Sequence, residues 1–191
     1  MRVVHEIEQE SYRILRARVD TSAYPRLCRA VIERVIHASA DIGYAEDIVC
    51  EEQSLQRGVE ALRAGAPIVT DVRMVAAGVT GRGARCYLGD AKAGDGLTRS
   101  AAAIRLAYAD VGAGAVWVIG CAPTALAELI ELAADPALVV GLPVGFVGAV
   151  EAKLALRASG LPAVSNRSER GGSAVAAAAI NALLFALEDD R

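Results

Sequence analysis

An excess of charge of either sign is what this sequence most lacks. Its 191 residues hold 20 Lys and Arg against 23 Asp and Glu, a net charge of −3. Such a balance offers no field for a nucleic-acid backbone, and one Trp, five Tyr and two Phe leave little for bases to stack on. No nucleic-acid partner is expected. Long hydrophobic runs are missing too. The longest, 137–150, is broken by glycine and proline and falls short of the roughly 20 residues that a membrane span needs. At the N-terminus, MRVVHEIEQE interleaves charged and apolar residues without an uninterrupted apolar core, so it does not read as a signal peptide. The four cysteines, Cys28, Cys50, Cys86 and Cys121, include no pair at the short spacing of a zinc or redox motif. No metal site is expected, and the thiols read as reduced and mostly buried, in a cytoplasmic protein. The phosphate loop, the order G-x-G-x-x-G after a strand and the motif G-x-S-x-G are all absent, which argues against a nucleotide cofactor and a hydrolase triad.

What is present is apolar: 54% of the residues are hydrophobic and 23% charged, the composition of a folded globule, expected to form one domain over 1–191. Short apolar runs bounded by Gly, Pro, Asp or Asn predict strands in 66–71, 84–90, 114–120, 137–145 and 161–166. Helical patterns fall at 6–18, 25–40, 51–64, 97–110, 123–134, 148–158 and 172–188. Strand followed by helix, repeated, predicts an α/β fold: three α/β/α layers around a mostly parallel sheet of about five strands.

In such sheets ligands sit beyond the carboxyl ends of the strands. The loops expected there are 70–80, 89–100, 119–125, 141–149 and 166–174, and four of the five bring glycine or a small hydroxyl residue into a helix start. Turns of that kind present unpaired N–H groups to anions, although glycine also closes tight turns with no ligand in view. Only two histidines occur. His5 lies in a polar, exposed-looking segment. His37 falls at the edge of the apolar stripe Leu27, Val31, Val35 and Ala38, near Ala30 and Arg34. That is the place of an ordinary boundary residue or of an acid–base group.

RVIHASAD (34–41), LTRSAAA (97–103), APTAL (122–126), LPVGFVGAVEAK (142–153) and RGGSAVAAAAINALL (170–184) together resemble the precorrin-8X methylmutase family, which includes the cobalt-precorrin-8 methylmutases. The resemblance runs from about Ser11 to Leu187. It implies an isomerase that moves a methyl group from carbon eleven to carbon twelve of a contracted tetrapyrrole, precorrin-8X or cobalt-precorrin-8. The product is the corrin hydrogenobyrinate or cobyrinate, in cobalamin biosynthesis. It further implies a homodimer with active sites near the subunit interface, no cofactor, and a five-stranded parallel sheet between helical layers. The one acid–base group it implies is matched by His37. Ser11 and Thr80 align with family positions near the ligand, and Arg99 is the natural guanidinium for a substrate carboxylate, unless it is simply a solvated arginine. Ala122, Thr124, Val144, Gly145, Phe146, Val147, Gly172 and Ser173 complete the implied substrate-binding set, with Leu142 and Pro143 beside the ring face.

A large apolar disc rimmed with acetate and propionate arms cannot be held by a protein of negative net charge as a whole. It calls for local N–H donors, hydroxyls and a fixed guanidinium. Two positions depart from the family pattern: Cys121 stands where asparagine is common and Ala152 where serine is usual. A carrier that binds the tetrapyrrole without turnover would share every binding feature and differ only in whether His37 is needed.

Overall fold

Along the central strands successive side chains face opposite sides of one sheet, and each side has its own core. The chain is represented by a computed structural model that describes residues 5–94, 96–132 and 134–189. The first four residues of the segment read against a signal peptide, and Ala133 in the predicted helix 123–134, lie outside the described residues. The elements run α1 (Glu6–Arg18), α2 (Arg26–Ser39), α3 (Tyr44–Asp47), β1 (Ile48–Cys50), α4 (Glu52–Arg63), β2 (Ile68–Thr70), α5 (Arg73–Gly78) and β3 (Ala84–Cys86). They continue with α6 (Arg99–Val111), β4 (Val116–Ile119), α7 (Pro123–Glu131), β5 (Leu138–Gly141), α8 (Ala149–Ala158), β6 (Ala163–Asn166) and α9 (Ser173–Asp189).

All five predicted strands form, and they pair in parallel in the order β3-β2-β4-β5-β6. A sixth, β1, extends the sheet by pairing antiparallel with β6, Ile48 opposite Asn166. The expected five strands thus become six, because a three-residue strand between two helices carries too short an apolar run to announce itself. Two short helices, α3 and α5, were also unanticipated. α5 lies inside 70–80, which reads as a strand-end loop.

Ile68, Val116, Val118, Leu138, Val140 and Val164 point to one face, where α4, α5 and α9 lie on the sheet. On that side α2 packs across α9 and α4, and α1 packs outside α2. Val69, Trp117, Ile119 and Val139 point to the other face, under α6, α7 and α8. Full burial of a Leu, Ile or Val contributes about 1.5–3 kcal/mol, and both faces are lined almost wholly by such residues. Close approach is secured by small residues: a Cβ at Gly58 would stand 2.6 Å from Leu138 Cδ2, so α4 reaches the sheet only because that position is glycine. The alanine run of α9 serves the same end, with Ala176 and Ala179 fully buried between sheet and α2.

Candidate functional site

β2 has β3 on one side and β4 on the other, so the order in which successive strands are added reverses there, and the crevice beyond its carboxyl end is the expected ligand position. Asp71 occupies it. Its carboxylate accepts the N–H groups of Gly120 at 3.0 Å and of Cys121 and Ala122 at 2.8 Å. Burial pushes the Asp71 carboxyl above the ordinary carboxylate range, and the three amides offset only part of that. The donors that the sequence reading assigned to the ligand in this loop, at Ala122 among others, are therefore already engaged. Asp71 was missed, although an aspartate closing the fully buried strand IVT is itself a signal.

The neighbouring loops interlock. Leu142 N–H donates to Ile119 O at 2.9 Å, Gly172 N–H to Leu142 O at 2.9 Å and Gly145 N–H to Glu169 O at 3.1 Å. Gly171 and Gly172 adopt φ of +153° and +119°, and a Cβ at Gly171 would sit 2.3 Å from Leu142 O. Gly171 is a steric requirement for the loops to touch, whereas Gly172 is called for by its positive φ alone. Gly145 and Gly172 thus use their N–H groups to join loops, whereas Ser173, Ala174 and Val175 contribute the orphan donors of the α9 start. Leu142 and Pro143, expected against the ring face, are buried in the core instead. Val144, Phe146 and Val147 do project: Phe146 is 96% and Val147 88% exposed.

Beneath the 166–172 loop lies a buried polar network. Lys153, wholly buried on α8, donates to Asn166 Oδ1 at 2.9 Å, to Arg170 O at 2.8 Å and to Ser168 O. Asp47 accepts from Asn166 Nδ2 at 2.9 Å, from the N–H groups of Arg167 and Ser168, and from Ser168 Oγ at 2.7 Å. Burial raises the Asp47 carboxyl, but these bonds and the Arg170 guanidinium outweigh it and leave it below its ordinary value.

His37 stands near the carboxyl end of α2, on its α1 side. Ser11 Oγ lies 2.7 Å from His37 Nδ1, and the Tyr12 ring stacks on the imidazole at 5.2 Å between centroids. The implied ligand contact Ser11 is thus a partner of the histidine. Arg34, read as its charged neighbour, pairs instead with Glu8 and lies over the Phe185 ring. Tyr12, Arg34 and Phe185 help to line a groove of about 360 Å³ between α1, α2 and α9. Past the end of α2, Asp41 accepts from Arg170 at 2.6 Å, tying the histidine-bearing helix to the glycine loop. His5 is spent locally, its Nδ1 accepting Ile7 N–H at 3.2 Å at the start of α1.

Arg99 is exposed at the first position of α6 and, among the described residues, has no ion-pair partner. Thr98 caps that helix and shares a 2.8 Å hydroxyl contact with Thr124, which brings the starts of α6 and α7 together. Thr80 stands apart from the loops. Its N–H donates to Asn181 Oδ1, midway along α9. Cys28 is the one buried thiol; Cys121 is exposed, contrary to expectation, because its backbone and not its side chain serves Asp71. Burial and the Asp71 charge raise its pKa and so hold it as a thiol. Among the described residues no cluster of three or more His, Cys, Asp or Glu is placed to hold a metal ion, and no helix is long and apolar enough to cross a membrane.

The sequence profile of the precorrin-8X methylmutases matches residues 6–186. The cobalt-precorrin-8 methylmutase of Salmonella typhimurium is 41% identical over 175 residues, covering 85% of this chain and 83% of its own. The precorrin-8X methylmutase of Pseudomonas aeruginosa is also 41% identical, over 194 residues and 93% of each chain. The crystal structure of precorrin-8x methyl mutase from Thermus thermophilus superposes with a TM-score of 0.87 at 34% identity, over 97% of this chain and 99% of that one. With its parallel sheet, its glycine loops and a serine-held histidine, the chain belongs to the precorrin-8X methylmutase family.

Proposed function

We propose that this protein is the isomerase that shifts the methyl group of precorrin-8X or cobalt-precorrin-8 from carbon eleven to carbon twelve, forming hydrogenobyrinate or cobyrinate in cobalamin biosynthesis. The observation that carries the reading is the Ser11–His37 pair, 2.7 Å apart on two helices of a chain of this family. Ser11 and the stacked Tyr12 ring hold the imidazole in one orientation, and the ordinary titration range of histidine suits a proton donor near neutral pH. His37 donates a proton to a ring nitrogen beside the migrating centre, which raises the electron demand of the macrocycle. The bond from carbon eleven to the methyl group breaks as the bond from carbon twelve forms, and the proton then returns to His37, so substrate and product are isomers. A positioned acid of this kind contributes about 10²- to 10⁴-fold.

Binding falls to the strand-end loops: the α9 start takes carboxylate, Arg99 supplies a guanidinium, and exposed Phe146 and Val147 cover apolar surface of the ring or of a second subunit. The enzyme works as a homodimer in the cytoplasm, whose second copy brings the helix bearing His37 and the loops of its neighbour around one substrate. A relative named cobalt-precorrin-8 methylmutase and one named precorrin-8X methylmutase both stand at 41% identity, so the metal state of the substrate is a question for assay. The test is single-turnover conversion of each substrate followed by absorbance. Conversion of either, lost in His37→Ala, supports the enzyme; binding without conversion by the wild type makes the protein a carrier.

A further inference from the structure

Lys153 is an expensive residue to bury. A lysine side chain with no exposed surface needs every N–H of its ammonium satisfied, and an isolated charge in a protein interior costs several kcal/mol. Its donors go to Asn166 Oδ1 and to two carbonyls of one loop, those of Ser168 and Arg170. Asn166 Nδ2 donates to the same two carbonyls, at 3.3 and 2.9 Å, while also donating to Asp47. Two peptide planes, 168–169 and 170–171, are therefore gripped from beneath at their oxygens. A trans peptide is planar, with N–H opposite C=O. With the oxygens aimed at the buried ammonium, the N–H groups of Glu169 and Gly171 aim away from it, and neither is used in the backbone hydrogen bonds that join this loop to 142–145; Glu169 is exposed and Gly171 half-buried.

We infer that Lys153 is a positioning residue which, from beneath the loop, turns the Glu169 and Gly171 N–H groups outward to receive a carboxylate arm of the tetrapyrrole. This rests on the proposed function and deepens it. The donors lie beside the start of α9, whose first-turn N–H groups continue the same row. They replace those of Gly120, Cys121 and Ala122, which Asp71 has taken. No surface cation is needed, in keeping with the chain's negative charge.

The charge on Lys153 is conditional. Burial first, then Arg157 and Arg170, lower its pKa to about 8, against Asp47 and Glu169, which raise it. Asp47 lies on α3, Arg157 on α8 with the lysine, and Glu169 and Arg170 on the loop. Neutral lysine keeps two N–H groups and presents a lone pair to a third oxygen, so one grip on the loop is lost.

Lys153→Met keeps the length and loses the donors. Hydrogenobyrinate affinity, measured by absorbance titration, should weaken about tenfold or more, as expected when charge-assisted bonds are lost, with KM rising more than kcat falls. Wild-type affinity should decline as pH rises through about 8, and the variant should lack that step. In the wild type the Glu169 and Gly171 amide resonances should shift and gain exchange protection when hydrogenobyrinate is added. A folded Lys153→Met protein with wild-type affinity overturns the assignment. So do wild-type amides that stay unmoved by bound ligand, and this arm decides the matter alone if the variant does not fold. Absence of binding of both hydrogenobyrinate and cobyrinate by the wild type would overturn the methylmutase reading and this assignment together, whereas binding of either with unmoved amides overturns the assignment only.

Discussion

Ser11 Oγ and His37 Nδ1 meet at 2.7 Å across the α1–α2 contact, at a sequence separation of 26. A hydroxyl on Nδ1 fixes the rotation of the imidazole, and it can donate to that nitrogen or accept from it as the tautomer requires. His37→Ala should slow the methyl shift at least about 10²-fold while corrin affinity stays within roughly tenfold, since an acid acts on the transition state more than on the bound ground state. His37→Asn should fail as badly, because an amide cannot deliver a proton. Ser11→Ala should lower kcat by about three- to thirtyfold, the size of one positioning hydrogen bond. Single-turnover absorbance, with binding measured separately, separates these outcomes. A wild-type rate in His37→Ala would return that residue to an ordinary boundary position.

Arg99, exposed at the start of α6 beside the Thr98–Thr124 pair, has a guanidinium available to a ligand. Arg99→Ala should weaken substrate binding by about 1.5–3 kcal/mol, the worth of a charge-assisted hydrogen bond, with the melting temperature unchanged. Equal affinities by calorimetry would make it a solvated surface residue.

Asp71 holds three N–H groups of one loop. Asp71→Ala strands them, and at about 1–3 kcal/mol for each buried donor left unpaired it should be among the most damaging substitutions in the sheet. Asp71→Asn removes the charge that helps to hold Cys121 protonated. Its Cys121 should therefore alkylate faster than wild type at pH 8, as mass spectrometry can follow. Cys121→Ser, by contrast, should leave turnover intact, since the proposed chemistry has no nucleophile.

Acid should unfold the protein through two named carboxylates. Burial raises Glu33, but hydrogen bonds from Arg16 and Thr21 outweigh it and leave its pKa lowered, as the corresponding bonds do for Asp47. Each binds fewer protons folded than unfolded near its ordinary value of 4.5 or 3.8. Their stabilisation is therefore complete above those values and is lost as pH falls through the lower folded ones. Denaturant titrations from pH 6 to 3 should show a fall that is shallower in Glu33→Gln. An unchanged slope would show that the Arg16–Glu33 pair contributes nothing.

Much of the fold was legible because a strand buried on both faces leaves a run such as VWVI between glycines, whatever its neighbours do. β1 was not, since three residues between helices make no pattern and its antiparallel pairing depends on β6, whose Val164 stands opposite Cys50 from far along the chain. The site divided the same way. His37 stood out by scarcity and by the resemblance, but that Ser11 holds it depends on how α1 crosses α2. Lys153 was readable in principle: with Ala149, Ala152 and Leu156 it completes a helical stripe that is otherwise apolar, and a charge there asks for partners. Leu142 and Phe146 look alike in the sequence and end on opposite sides of the surface, a choice made by the turn at Gly145 and not by hydropathy.

The aspartate at the head of β2 has a consequence for selectivity. By lodging its own carboxylate where sheets of this kind ordinarily offer a vacancy, the protein competes internally against small free anions at the 120–122 amides. Acetate or inorganic phosphate meets a seat already taken, held by a tether that dilution cannot remove. A ligand must then win on breadth, reaching several loops at once, which a carboxylate-rimmed macrocycle does and a metabolite of a few atoms does not.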